Sequence, residues 1–395
     1  MGPALLSDIK TEAKALLGKI IQIRRHLHSN PELSFQEEKT AQFISELLTK
    51  WQIPHQSGVA GYGIVATIQG KSDQIVALRA DMDALPILEK NEVDYISKFP
   101  GIMHACGHDV HMACLLGATH ILNNIKEQLP TSIRIVFQPG EEKLPGGASL
   151  MIGEGVLQNP EPLAMIGQHV YPPLEAGQVG IRSGLYMASA DEIYITVQGK
   201  GGHAAMPHEV NDVVLAASQM IVALQQIVSR NARPIIPSVL SFGKFNTIGG
   251  ATNVMPDEVK IEGTFRTMDE AWRSQAHQLI TNIVQNTCAA YGTTGTIEIR
   301  KGYPCLINDE ALTQKIRSKM VDYLGKDNVI DLDMRMTSED FAFYSQVVPS
   351  CFYRLGTGNT SKNIKSPVHT STFDIDEDAL ETGMGLMAWL AVSTV

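Results

Sequence analysis

The sequence predicts an α/β protein whose largely parallel sheet is interrupted by a second domain of ferredoxin-like order. Helical and strand-like patterns trade places through the first half, as in α/β layer folds. Carboxylates and a histidine collect at the ends of the apolar runs, where parallel sheets carry their chemistry. Between residues 189 and 300 the pattern changes to βαββαβ.

Amphipathic spacing predicts helices at Asp8 to His28 and at Glu37 to Trp51, followed by strands at Gly63 to Gln69 and Gln74 to Asp83. A helix at His111 to Lys126 and strands at Ser132 to Gln138 and Leu163 to Val170 continue the alternation. The later block reads as strand Glu192 to Gln198, helix Asn211 to Ser229, strands Ser238 to Phe245 and Glu258 to Thr267, helix Asp269 to Tyr291 and strand Thr294 to Arg300. No metal-ligand candidate falls inside it, and His369 lies well after it, so it reads as an insertion. The expected domains are residues 1–188, the inserted 189–300, and 301–395, where the first domain resumes.

A chain of 395 residues suggests two domains, and 44% hydrophobic with 19% charged residues describes a globular protein. The formal charge of -10 disfavours nucleic acid and anionic membranes as partners. No apolar stretch is expected to reach the roughly 20 residues of a membrane span. Met1 to Lys10 lacks the basic start and apolar centre of a signal peptide, so the expected location is cytoplasmic. The five cysteines are odd in number and show no Cys-x-x-Cys spacing, which argues against a disulfide framework. Cys106 differs from the other four: it sits in a Gly-containing turn between His104 and His108, where a metal could stabilise its thiolate.

Glu141 and Glu142 stand side by side after the apolar run Ile133 to Phe137. A metal hydrolase needs ligands that hold its ions and one carboxylate left to move a proton, and vicinal glutamates can divide those jobs. In extended backbone neighbours point opposite ways, so Glu142 is assigned to metal and Glu141 to proton transfer. The candidate ligands Cys106, His108, Glu142, His169 and His369 are too many for one catalytic zinc. Two ions fit if Cys106 bridges both. Asp81 and Asp83 share one face of their strand, and at least one is expected to orient a ligating histidine. His203, in the Gly-rich segment Gly199 to His208, reaches the developing oxyanion only if a lid or a neighbouring subunit brings it there; an ordinary surface histidine is the plainer alternative.

Readings from other classes explain less. Gly356-Thr357-Gly358 matches only part of a dinucleotide fingerprint, and there is neither a Gly-x-Ser-x-Gly elbow nor a phosphate-binding loop. A thiol hydrolase built on Cys106 and His108 leaves Glu142, His169 and His369 without a role. A metal-dependent peptide-binding module has no need of Glu141.

Several motifs in order resemble one family: Arg24-Arg25-His26-Leu27-His28 with Pro31-Glu32-Leu33, Arg79 to Pro86, His104-Ala105-Cys106-Gly107-His108-Asp109, Gln138-Pro139-Gly140-Glu141-Glu142, Gly199 to His208, Ser338-Glu339-Asp340-Phe341, and His369 with Phe373-Asp374. Across nearly its whole length the chain resembles the aminoacylase and carboxypeptidase type metallopeptidases, in the branch of hippurate hydrolases, auxin-conjugate hydrolases and N-acetyldiaminopimelate deacetylases. The resemblance implies a metallopeptidase catalytic domain with an inserted lid and dimerisation domain, and a homodimer or higher oligomer. It implies a dinuclear site of zinc or manganese, with cobalt or nickel also possible, on Cys106, His108, Glu142, His169 and His369. Glu141, Asp83 and His203 would form the catalytic group, and His203, Asn253 and Arg266 would meet substrate. The wider family commonly has a metal-binding histidine at the place of Asp81 and a bridging carboxylate at the place of Cys106. Pro304-Cys305-Leu306-Ile307 also departs from the usual turn there. The expected reaction is hydrolysis of an N-acyl amino acid to a carboxylic acid and an amino acid, with a carboxypeptidase or dipeptidase acting on short peptides as the alternative.

Overall fold

The computed structural model describes residues 3–394, so the first two residues of the Met1 to Lys10 segment lie outside it. The chain divides into two compact units. The larger holds the described residues up to Tyr186, Ile307–Met334 and the chain from Asp340 onward; the smaller holds Met187–Leu306 with Arg335–Glu339.

The larger unit is built on an eight-stranded sheet. Ser132–Gln138, Ile75–Asp81, Ala164–Glu175 and Ser350–Gly358 lie side by side and parallel at its centre. Antiparallel strands flank them, Gly63–Ile68 on one side and Val179–Ile181 on the other. Every residue of Ile75–Asp81 and Ser132–Gln138 is buried, as expected where both faces of a parallel sheet are covered. Helices Pro3–Ser29, His108–Asn124 and Ala379–Ser393 contribute Ile20, Leu116 and Leu386 to the same core as Leu78, Ile135 and Ile166 of the strands.

Two local differences from the sequence reading have physical causes. The antiparallel strand His55–Val59 is exposed along most of its length and so carries no apolar run. The helix expected from His111 begins instead at His108, because left-handed Gly107 (φ 83°) turns the chain into it.

The smaller unit carries an antiparallel sheet in the order Ser238–Ile248, Glu258–Thr267, Asp191–Gln198, Thr294–Lys301. Helices Val213–Leu224 and Glu270–Ala290 start on the caps Asp212 and Asp269, whose carboxylates accept from first-turn amides. Their apolar sides join Ile193, Ile195 and Val197 in a separate core. The helical run Val213–Asn231 corrects the expectation that no stretch reaches membrane-spanning length: its 19 residues suffice by length and composition. Its polar residues are nearly all uncharged, and it buries Val213, Ala216, Ala217, Met220, Leu224 and Ile227 in the core of this unit.

Candidate metal centre

The site is assembled at the carboxyl ends of the central strands of the larger unit. A side chain on Gly107 would place its Cβ 2.5 Å from Val170 Cγ2, so packing as well as φ demands glycine there. The turn leaves buried Cys106 facing two imidazoles, with Sγ 3.4 Å from His169 Nε2 and 3.3 Å from His369 Nε2. His169 Nδ1 lies 2.8 Å from the Val170 carbonyl, which only accepts, so Nδ1 carries the proton and Nε2 keeps its lone pair toward the thiol. His369 holds its place from a left-handed backbone (φ 63°), anchored by its amide on the Ala105 carbonyl at 2.7 Å.

Glu141 and Glu142 sit in a bend. The ladder between Ile75–Asp81 and Ser132–Gln138 ends at Asp81 and Gln138, and Asp83 captures the next free amides: Glu141 N at 3.0 Å and Glu142 N at 2.9 Å. Ser34 Oγ adds a third donor to Asp83 at 2.6 Å. This corrects the picture of two glutamates projecting apart from extended backbone, because donor atoms of His108, Glu141 and Glu142 all lie within 4.8 Å of one another.

Donor atoms of Cys106, His108 and His169 form one group within 4.8 Å, and those of Cys106, Glu142 and His369 form another. Cys106 belongs to both. His108 Nε2 and Glu142 Oε1 are buried without an aligned hydrogen-bond partner, although His369 Nε2 approaches that oxygen to 3.2 Å. Burial, then Glu142, Glu141 and Asp81, push the Cys106 thiol up. Burial pulls the His108 imidazole down, but Asp81, Asp83 and Glu142 outweigh it and raise it to about 10. Burial and the Arg354 cation keep His169 neutral, the form in which imidazole ligates. Thiol, imidazole and carboxylate donors crowded in a buried, electronegative pocket fit borderline divalent cations.

His111 was not among the sequence candidates. It follows His108 by three positions on the same helix face. Its Nδ1 lies 2.5 Å from Asp81 Oδ1, and its Nε2 accepts the Val170 amide at 2.9 Å. Asp81 thus grips His111, while Asp83 stands nearest His108, Oδ1 to Nδ1 3.2 Å. The paired histidines at helical spacing were the available signal.

His203, Asn253 and Arg266 belong to the smaller unit. His203 is exposed on the short strand Gly202–His203, its Nδ1 accepting the Ala205 amide at 3.1 Å. Asn253 accepts the Ala204 amide on its carbonyl at 3.0 Å, and Arg266 donates to Ser338 Oγ at 2.9 Å.

Residues 77–392 match the model of peptidase family M20/M25/M40. The chain belongs to this family. It is, with its family, a hydrolase acting on amide bonds. This M20 chain is 42% identical over 375 residues to the N-acetyl-L-cysteine deacetylase of Bacillus subtilis, covering 94% of this chain and 86% of that protein. It is 37% identical to thermostable carboxypeptidase 2 of Saccharolobus solfataricus, covering 98% of each. Among solved structures it resembles the YXEP protein of Bacillus subtilis, a dinuclear metal-binding peptidase of the M20 family, with 32% identity, TM-score 0.82 and coverage of 96% and 98%.

Proposed function

We propose that this M20 hydrolase cleaves the amide bond of N-acyl-L-amino acids carrying acetyl, benzoyl or indoleacetyl groups, releasing a carboxylic acid and an amino acid. The observation that carries the reading is the membership of Cys106 both in the group with His108 and His169 and in the group with Glu142 and His369, which would suit a thiolate shared by two cations. Two divalent ions, zinc or manganese with cobalt or nickel also suited, would supply Lewis acidity to the scissile carbonyl and its attacking water. Cys106, His108, Glu142, His169 and His369 are the proposed ligands.

Glu141 takes the proton that water loses as it adds to the carbonyl carbon, and returns it to the nitrogen as the C–N bond breaks. Asp83 holds the Glu141 and Glu142 amides and so fixes the turn that presents both carboxylates. His203 donates to the developing oxyanion, and Asn253 and Arg266 recognise the amino-acid portion. In this reading residues 1–188 and 301–395 form the catalytic domain, 189–300 the lid and dimerisation domain, and the enzyme works as a cytoplasmic homodimer or higher oligomer.

The test is release of free amino acid from benzoyl-, acetyl- and indoleacetyl-amino acids and from dipeptides, with metal supplied and with chelator present. Chelator-sensitive cleavage of one acyl class supports the proposal, and cleavage indifferent to chelator sinks it. The carboxypeptidase or dipeptidase alternative draws on the similarity to the Saccharolobus carboxypeptidase. It requires faster cleavage when the acyl side bears a free α-amino group.

A further inference from the structure

Asp340, in the Ser338-Glu339-Asp340-Phe341 motif, is fully buried and has no part in the proposed ligand set. Its carboxylate accepts from Arg79, Gln138 and the Ala148 amide. Arg79 Nη2 lies 2.8 Å from Oδ1; Gln138 Nε2 lies 2.9 Å from Oδ1 and 2.7 Å from Oδ2; the Ala148 amide lies 3.0 Å from Oδ2. Gln138 and Ala148 flank the turn that carries Glu141 and Glu142, so one carboxylate ties both ends of that turn together. Arg79 Nε holds Gln138 Oε1 at 3.0 Å, which fixes the amide with its NH2 group toward Asp340. The backbone amide of Asp340 lies 3.3 Å from Glu141 Oε1.

We infer that Asp340 is a positioning residue for Glu141: its carboxylate fixes the base of the turn, and its own N–H aims the carboxylate that moves the proton. The inference rests on Glu141 being the general base. A base misplaced by about 1 Å can lose on the order of 100-fold in rate while substrate still binds. In Asp340→Asn one acceptor oxygen becomes an NH2 group facing donors, which loosens the staple while leaving size and shape alone. Gln138→Met removes two of the bonds to Asp340 without changing charge.

The experiment measures kcat, KM and bound metal per subunit for Asp340→Asn, Gln138→Met, Glu141→Gln, Glu141→Asp and the double variant Asp340→Asn with Glu141→Asp, using the best acyl-amino acid of the substrate panel. The expected result is a fall in kcat of about 10- to 100-fold for Asp340→Asn and severalfold for Gln138→Met, with KM within about twofold and metal content unchanged. In the Glu141→Asp background, where the shortened carboxylate no longer reaches the amide, Asp340→Asn is expected to add little. An undiminished kcat in Asp340→Asn overturns the inference. So does a loss of metal matching the loss of rate, or the same fold-loss in the Glu141→Asp background. Should Asp340→Asn fail to fold, Gln138→Met decides by the same measures. Full activity in Glu141→Gln instead removes the general-base reading itself, a failure separate from that of Asp340.

Discussion

Arg24 Nε lies 2.8 Å from Asp109 Oδ2, and both side chains are completely buried. The same guanidinium reaches Asp374 Oδ1 at 2.9 Å. Asp109 follows His108 at the start of its helix, and Asp374 closes the segment that begins at His369, so one cation ties together two of the proposed ligand-bearing segments. Arg24→Met leaves the buried carboxylate without its main counter-charge and is expected to destabilise the fold by about 3–5 kcal/mol. Urea unfolding measures this. Adding Asp109→Asn should recover part of the loss, since no buried charge is then left alone; an Arg24→Met protein as stable as the parent would contradict the pairing.

Separate jobs for the adjacent glutamates and the thiol predict separate losses. Glu141→Gln should lower kcat by about 10²- to 10⁴-fold with bound metal unchanged. Cys106→Ser should lower the metal bound per subunit, because a hydroxyl is a far poorer shared ligand for these cations than a thiolate. Metal analysis beside initial rates separates the two, and unchanged stoichiometry in Cys106→Ser would rule out the shared thiolate.

The strands that carry the candidate site were legible because burial on both faces of a parallel sheet writes mostly apolar runs, as in Ile75–Leu78 and Ile135–Phe137. Glu142 and His169 are ligand candidates because they stand at or just after the ends of such runs, whereas Cys106, His108 and His369 are candidates by residue type and family resemblance. The supporting residues were less legible. Arg24, Arg79 and Asp340 appeared only as members of motifs, since what they hold lies 85, 59 and 202 positions away in the chain for Arg24–Asp109, Arg79–Gln138 and Asp340–Gln138. Such pairings leave no local period. Pro139-Gly140 and Gly146-Gly147 mark a turn around Glu141, but what fixes it, the Asp83 carboxylate 58 residues upstream, leaves no local signal.

Glu37 offers a pH test away from the proposed ligands. It is fully buried, accepts the Gly140 amide at 2.8 Å on Oε1 and leaves Oε2 without a hydrogen-bond partner. Burial, reinforced by Asp83, raises its carboxyl from 4.5 to about 7. A raised acid in the folded state contributes stability that is fully present below the unfolded value near 4.5 and is lost as pH rises through about 7. Glu37→Gln stays neutral and keeps a carbonyl for Gly140. Relative to the parent, it should therefore be more stable at pH 8 than at pH 5 by about 2 kcal/mol. Denaturant unfolding at the two pH values checks this, and a stability difference independent of pH would refute it.

The turn behind Glu141 also makes a steric prediction. Gly147 donates its amide to the Gly140 carbonyl at 3.0 Å, and a Cβ built on it would lie 1.6 Å from Pro139 O. That oxygen belongs to backbone two residues before Glu141, so no flexible side chain can yield in its place. Gly147→Ala must push the two ends of the turn apart, shifting Glu141 and loosening the Ala148 amide from Asp340. The expected outcome is a loss of about 1–3 kcal/mol in stability together with a fall in kcat of at least about 10-fold. Gly153 ends the same short helix with nothing within 4 Å of its would-be Cβ, so Gly153→Ala is the matched control and should change neither quantity appreciably. Equal behaviour of the two variants in thermal unfolding and initial-rate assays would show that the close approach of Gly147 to Pro139 does not shape the turn.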